Sequence, residues 1–442
     1  MSLPAGATTD PATLDAARTD RSGATGAPPR GVVRARDVAE VREVAAWAHA
    51  QRVPLVVRGA GSGLAGGAIA DGALVLDLGA LDRIVAIDPV DEIAVVEPGV
   101  VTADLDAAAR QHGLFFAPDP ASAALSTVGG NVATNAGGLR CVKYGVTRDA
   151  VLALDVVLAD GRLIRTGRRT VKGVAGYDLT ALLVGSEGTL GIVVGATVRL
   201  RPVPEQVVTL AADFATTDDA AQACVALQAA RLTPSMLELL DDATLDVIDR
   251  AQGTTLRGGA TGALVIAQFD GLAADRELAR ALEVLEPRAT RVRHATDPED
   301  AAALLAARRL ALPSIERFGP ALIEDIVVPR SQLATAFARL RGIRQDLGVD
   351  LYAFAHAGDG NVHPILSYDP SLDAPPPAVA EAADRIFALA LQLGGTVTGE
   401  HGVGTLKRDW LAHEQGDDVL ALHAAVKRAF DPHDVLNPGK AI

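Results

Sequence analysis

Residues 356–363 read HAGDGNVH, two histidines with six residues and a turn signal between them. Asp-Gly between apolar flanks favours a type I′ hairpin, whose corner needs positive φ at both central positions. With Asp359 and Gly360 at that corner, His356 faces His363. Directly opposed residues share a face, with Cβ atoms roughly 4.5–5.5 Å apart. Two imidazoles delivered to one point suit a divalent metal. A polar hairpin with two hydrogen-bonded histidines fits the same residues, so a third ligand must decide.

A second candidate lies at 53–68, VPLVVRGAGSGLAGGA, where Gly61, Gly63 and Gly66 match GxGxxG after a strand. A dinucleotide-binding Rossmann unit needs a long helix after those glycines. Asp71-Gly72 turns the chain five residues after Gly66 and a strand resumes, so no crossover helix fits. Phosphate binding remains, because glycines let the backbone approach an anion and successive N–H groups form a nest. Arg58 would add positive charge beside it. The other reading is a flexible turn. A longer run, PDPASAALSTVGGNVATNAGGLRCVKYG (118–145), is rich in small residues and amides. Read as irregular and buried, it must satisfy its own backbone polar groups, which an extended polar ligand would help to do.

The elements that must hold these stretches follow from pattern. The chain has 442 residues, which predicts two or three domains. Nearly half the residues are hydrophobic but only 3% aromatic, so Ala, Val, Leu and Ile must build the core. A net charge of −14 with no basic cluster argues against nucleic acid and anionic membrane surfaces. Two cysteines, Cys141 and Cys224, make neither a disulfide framework nor a four-thiolate cluster and fit a reducing cytoplasm. The N-terminus lacks the basic start and apolar core of a signal peptide, and no run of ~18 apolar residues predicts a membrane span.

Residues 1–30 are expected to be poorly ordered. Periodicity predicts a helix at 37–51, strands from 53 to 97, a helix at 101–112, and strands near 151–159, 162–166 and 191–200. This first domain should end near Pro202-Val203-Pro204. A second α/β pattern runs from 207, with strands at 207–213, 234–240, 262–269, 322–328, 350–356 and 361–367. Its helices are expected at 217–231, 272–286, 298–311, 330–347 and 379–393, and two short helices follow.

The loop RGAGSGLAGG, the run PDPASAALSTVGGNVATNAGG, the segment GYDLTALLVGSEGTLGIV and the C-terminal GEHGVGTLKRDWL…FDPHDVLNPGK together resemble the FAD-linked 2-hydroxy-acid dehydrogenases. These are vanillyl-alcohol-oxidase-type flavoproteins, among them the glycolate oxidase FAD subunit, D-lactate dehydrogenase and D-2-hydroxyglutarate dehydrogenase. The resemblance covers the chain from about residue 19, with the motifs in the family's order. It implies an α+β fold: a two-part FAD-binding domain of the PCMH type with an inserted α/β cap (substrate) domain on an antiparallel sheet. The implied boundaries are 31–204 for the FAD-binding domain, 205–395 for the cap, and 396–442 for a segment returning to the FAD domain.

Carried over residue by residue, the resemblance assigns the FAD pyrophosphate to Arg58, Gly59, Ala60, Gly61, Ser62, Gly63 and Leu64. It assigns the flavin side to Pro118, Asp119, Thr127, Gly129, Gly130, Asn131, Thr134, Asn135 and Gly138. Ile192 would meet the adenine side, and Asn437 would return to the flavin. Some relatives attach FAD through a histidine in the first loop. None lies between His49 and His112, so FAD should be non-covalent. The resemblance supplies the third metal ligand, Glu400, so that His356, His363 and Glu400 would bind zinc or manganese. Open coordination positions would take the substrate's carboxylate and hydroxyl. His401 would accept the hydroxyl proton, the hydride would pass to flavin N5, and Arg308 would pair with the substrate carboxylate. Arg309, about 100° round a helix, should point away. Glutarate-specific relatives carry a lysine before the segment read here as Ile323-Glu324-Asp325. Its absence favours D-lactate or glycolate.

Two further readings compete with this one: a non-catalytic FAD-binding subunit of an oxidase complex, and a non-redox enzyme of the alkyl-glycerone-phosphate-synthase type. Against the second, the run of consecutive histidines at that group's active site is replaced here by GEHG. Without a motif for an iron–sulfur cluster or haem, reduced FAD must deliver electrons outward. The candidate acceptors are a quinone, an electron-transfer flavoprotein, an iron–sulfur subunit or oxygen. The expected setting is cytoplasmic, as a homodimer, with membrane association only peripheral and through a partner.

Overall fold

The computed structural model describes residues 3–257, 261–372 and 374–442. The chain divides into two compact units. One comprises Met1–Gly138, Gly145–Val203 and Glu400–Ile442, and the other Leu139–Tyr144 and Pro204–Gly399.

The first unit starts with residues 1–30, expected to be poorly ordered; residues 1–2 lie outside the described residues, and the remainder carries regular structure. Ala7–Thr8 pairs antiparallel with Gly31–Arg34, and Asp10 caps the helix Pro11–Ala16 by accepting from Thr13 N. Edge pairing and one cap supply order that no apolar run announces. Gly31–Arg34, Leu74–Asp77 and Leu55–Arg58 follow as parallel neighbours. The helix Val38–Gln51 packs on them, capped by Asp37 and ended by Arg52 in the left-handed region. No helix stands between Leu55–Arg58 and Leu74–Asp77, so the rejection of a Rossmann crossover holds. An antiparallel sheet orders Ile84–Asp88, Ile93–Val96, Ile192–Arg199, Val151–Val157 and Leu163–Gly167. The run 118–145, read as irregular, contains the short helix Val128–Thr134 and, in the second unit, Cys141–Tyr144.

The second unit is an antiparallel sheet in the order Arg291–Ala295, Val207–Phe214, Ala263–Asp270, Met236–Leu240, Asp350–His356, Asn361–Ser367 and Ala321–Ile323, with Ile326–Val327 also on Asn361–Ser367. Helices Asp242–Gln252 and Pro298–Glu316 cover the face that carries Met236, Leu240, Phe354 and Ile365. Strands such as MLELL are therefore buried at every position instead of alternating. Three elements depart from expectation. The helix at 242–252 and the strand at 291–295 were not foreseen, and Pro298–Glu316 runs through Pro313 instead of stopping at 311.

The C-terminal segment is fixed to the first unit by a buried ion pair. Lys427 Nζ donates to Asp431 Oδ2 at 2.6 Å and to the carbonyls of Thr189 and Leu436. Asp431 also accepts from Leu436 N. Removing one partner strands a buried charge. Asp431→Ala is expected to cost about 3–5 kcal/mol, read from urea unfolding, and an unchanged midpoint would reject this account.

Candidate functional site

In the second unit a polar island interrupts the apolar face. Glu238, the charged residue of Met236–Leu240, is fully buried. Its Oε1 lies 2.7 Å from His356 Nδ1, and its Oε2 accepts from Arg308 Nε at 2.6 Å. Glu238 stands beside His356 because the two are register partners. Arg308 descends from the helix Pro298–Glu316, its Cζ 4.3 Å from the centre of the Phe354 ring. Arg309 is exposed, as helical geometry predicts. Cys224 is buried nearby, and burial, then the Glu238 carboxylate, push its thiol pKa upward, which makes it a poor nucleophile.

The hairpin brings His356 and His363 together by a different register from the one expected. The corner is a four-residue loop, 357–360, with Gly360 N and Asp359 N donating to His356 O. His356 pairs with Asn361, and His363 with Phe354. Gly360 has φ +88° but Asp359 is not in the positive region, so the turn is not type I′. The offset is two residues, and an even shift keeps side chains on the same face. The two rings, both nearly buried, lie edge to face with centroids 5.0 Å apart.

Asp325, buried in the same unit, holds the end of TGEHG that belongs there. Its Oδ2 accepts from Thr398 Oγ1 at 2.9 Å and Gly399 N at 2.8 Å, and its Oδ1 lies 3.8 Å from His363 Nδ1. Gly399 is required by close approach, since a Cβ there would meet Asn361 Nδ2 at 2.7 Å. Glu400 and His401 follow directly and begin the first unit's last segment. His401 Nε2 stands 3.9 Å from Glu400 Oε1.

In the first unit the glycine stretches converge. A Cβ on Gly59 would meet Thr127 Oγ1 at 2.7 Å, one on Gly129 would strike Pro98, and one on Gly138 would strike the Asp119 carbonyl at 2.4 Å. Among the described residues, nothing accepts from the successive N–H groups of residues 59–67. This row, from Gly59, Ala60, Gly61, Ser62, Gly63 and Leu64 onward, can receive an anion. The Arg58 guanidinium donates to the carbonyls of Thr19, Ala68 and Ala16 and so ties the N-terminal segment to the loop.

Several other residues expected at the cofactor also have structural roles within the first unit. Asn131 Nδ2 donates to Thr102 Oγ1, and Ile192 is wholly buried in the core. Asn437 bridges Val57 N and the Glu187 carbonyl. Thr127 caps its helix through Gly130 N, Thr134 Oγ1 donates to the Gly130 carbonyl, and Asn135 ends the helix in the left-handed region while accepting from Arg148 N. Pro118 is buried and Asp119 half-buried beside Gly138.

Residues 203–441 match the family model described as FAD linked oxidases, C-terminal domain, and residues 29–167 match the one described as FAD binding domain. The chain belongs to the FAD-linked oxidase family. This FAD-linked oxidase is 42% identical over 417 residues to the glycolate oxidase subunit GlcD of Bacillus subtilis, covering 93% of this chain and 88% of that protein. It is 35% identical over 419 residues to the D-lactate dehydrogenase of Archaeoglobus fulgidus, covering 93% and 91%. Among solved structures, p-cresol methylhydroxylase with substrate bound superposes with TM-score 0.79 at 20% identity, covering 99% of this chain and 93% of that one. An alkyldihydroxyacetonephosphate synthase gives 0.75 at 19% identity, covering 99% and 83%. These two likenesses show the fold alone, an α+β PCMH-type flavoprotein fold. The enzyme is an FAD-dependent oxidoreductase.

Three acids in this FAD-linked oxidase escaped the sequence reading: Glu238, Asp325 and Glu187. A lone acid in an apolar strand, MLELL, was the available signal for the first. Asp325 was read only for the lysine missing before it, and Glu187 only as part of GSEGTLG. Glu187, nearly buried with φ +51°, accepts from Val403 N and Gly404 N, both at 2.8 Å, just after His401. Gly402 leaves it room, since a Cβ there would sit 3.0 Å from its Oε1. Burial raises its carboxyl above the ordinary value of 4.5, against the pull of those two amides and of Lys407 and Lys440. An acid with a raised folded pKa contributes stability at low pH that is lost as pH rises from the unfolded value through the folded one. The stability of wild type relative to Glu187→Gln should therefore decline as pH rises above 4.5. Denaturation of both proteins across that range measures it, and a difference that grows with pH would reject it.

Proposed function

We propose that this FAD-linked oxidase oxidises a small D-2-hydroxy acid, D-lactate or glycolate, to the 2-oxo acid with a divalent metal, and passes the electrons to an external acceptor. The observation that carries the reading is the buried His356–His363 pair with Glu238 on Nδ1 of one ring and on Arg308. A neutral imidazole that donates from Nδ1 carries its lone pair on Nε2, the state a metal requires. In this reading, as the resemblance implies, His356, His363 and Glu400 would supply a two-imidazole, one-carboxylate donor set suited to zinc or manganese. The names of the relatives, glycolate oxidase subunit and D-lactate dehydrogenase, support the substrate class.

In this reading 31–204 is the FAD-binding domain, 205–395 the substrate domain and 396–442 the returning segment. The main-chain row from Gly59 to Leu64 receives the FAD pyrophosphate, and with no histidine in that loop the attachment is non-covalent. When bound, FAD would take up the substrate's α-hydrogen with its two electrons as hydride, and the metal would polarise the hydroxyl. The chain's own residues do the rest. Arg308 pairs with the substrate carboxylate through its Nη groups while Glu238 holds its Nε. His401 accepts the hydroxyl proton. Glu187 and Asp325 fix the backbone on either side of Glu400 and His401. A quinone, an electron-transfer flavoprotein or an iron–sulfur subunit accepts the electrons. Among the described residues no helix is long and apolar enough to cross a membrane. The reading places the enzyme in the cytoplasm, as a homodimer, reaching a membrane only through such a partner.

Anaerobic mixing with D-lactate, L-lactate, glycolate, D-2-hydroxyglutarate and D-malate, followed at the flavin band, tests the reaction. D-lactate or glycolate should bleach the flavin, a chelator should abolish bleaching, and zinc or manganese should restore it. No bleaching by any acid, with FAD and metal both present, would overturn the proposal. The cofactor placement has its own test. A Cβ on Gly63 meets nothing within 4 Å, so Gly63→Ala leaves unfolding of the apoprotein unchanged. The methyl intrudes where the pyrophosphate would lie, and FAD affinity should fall about tenfold or more. Undiminished affinity would place the pyrophosphate elsewhere.

A further inference from the structure

We infer that Glu238 is a positioning residue that sets the metal-binding histidine and the substrate-binding arginine with one carboxylate. The inference rests on the metal-assisted hydroxy-acid reading and extends it to a residue outside the ligand and substrate set.

Glu238 is fully buried in a strand whose other residues are Met and Leu. Stability alone gives little reason for an ionic group there, because apolar residues of similar volume commonly serve as well as a buried ion pair. The two oxygens have separate tasks. Oε1, 2.7 Å from His356 Nδ1, fixes the ring's orientation, keeps the proton on Nδ1 and makes Nε2 the more basic donor. Oε2 holds Arg308 by Nε at 2.6 Å, which leaves both Nη groups for a carboxylate. Among the described residues neither Nη of Arg308 donates a hydrogen bond. Phe354 beneath the guanidinium limits its remaining rotation. The positions of these groups follow from the sheet. Glu238 and His356 are cross-strand partners, and Arg308 lies on the helix covering that face.

An amide cannot replace this carboxylate. Gln offers one acceptor oxygen, and its NH2 would confront either His356 Nδ1–H or Arg308 Nε–H. Glu238→Gln should therefore weaken Mn²⁺ binding, measured against a chromophoric chelator, by roughly 10–100-fold. It should also raise KM for the bleaching hydroxy acid by about tenfold. At saturating Mn²⁺ and acid, kcat should return to within a few-fold of wild type, because Glu238 touches no reacting atom. A merely structural role would lower the folded fraction without moving either constant of the folded enzyme. Glu238→Asp keeps the charge but is too short to span both partners, so one constant should shift and the other recover. It also provides the test if the Gln variant does not fold. Folded variants whose Mn²⁺ affinity and KM both stay within about twofold of wild type would overturn the inference and leave the proposed function standing. A wild-type enzyme that binds no Mn²⁺ and ignores every hydroxy acid would remove both.

Discussion

A carboxylate taken out of water must find its hydrogen-bond donors inside the protein, and in each unit the candidate site residues are organised by acids that do so. Glu238 finds an imidazole and a guanidinium. Asp325 finds the hydroxyl of Thr398 and the amide of Gly399. Glu187 finds the amides of Val403 and Gly404. Each bond fixes a donor that an exposed acid would leave to solvent, because charge-assisted bonds strengthen as water is excluded. Asp325 acts on the Gly399 backbone and the Thr398 hydroxyl, and Glu187 on the backbone of Val403 and Gly404. Each grips, within its own unit, the chain on one side of Glu400 and His401.

Much of this was legible in advance and some was not, for identifiable reasons. Apolar periodicity found most of the strands and long helices, since burial is what repeats. The pairing of His356 and His363 on one face was legible although the turn was misread. Parity alone decides the face, and a four-residue corner has the same parity as a two-residue one. The strand RVRHA at 291–295 was missed because it lies at the sheet's edge and carries charge there. The helix Pro298–Glu316 runs beyond the expected end at 311 because packing overrides the helix-breaking effect of Pro313. The buried acids were illegible for another reason. Sequence shows an acid in an apolar strand but not which donors the neighbouring strand and helix will bring to it.

Arg58 makes the same point from the opposite side. Beside a glycine loop an arginine reads as an anion ligand, yet its donors end on the carbonyls of Ala16, Thr19 and Ala68. A left-handed glycine at 61 lets the guanidinium lie against the loop, where a Cβ would come within 2.2 Å of Nη2. Arg58 ties the loop to the N-terminal segment, and the N–H groups of residues 59–67 have no acceptor among the described residues. Order in the N-terminal segment belongs to the same arrangement, because that segment supplies two of the three carbonyls.

This division of labour suits an acidic enzyme with anionic ligands. A chain with net charge −14 repels both a dinucleotide and a hydroxy acid at long range, and salt screens that repulsion within about 8 Å at physiological ionic strength. Affinity must then come from short-range donors that need no favourable net field. In the proposed reading, a row of main-chain amides holds the first ligand and the Nη groups of Arg308 the second. For Arg308 the neighbouring carboxylate limits the pull of the positive charge but determines where the Nη groups point. For an oxidation in which a proton and two electrons leave adjacent atoms, orientation at that scale matters more than the strength of attraction.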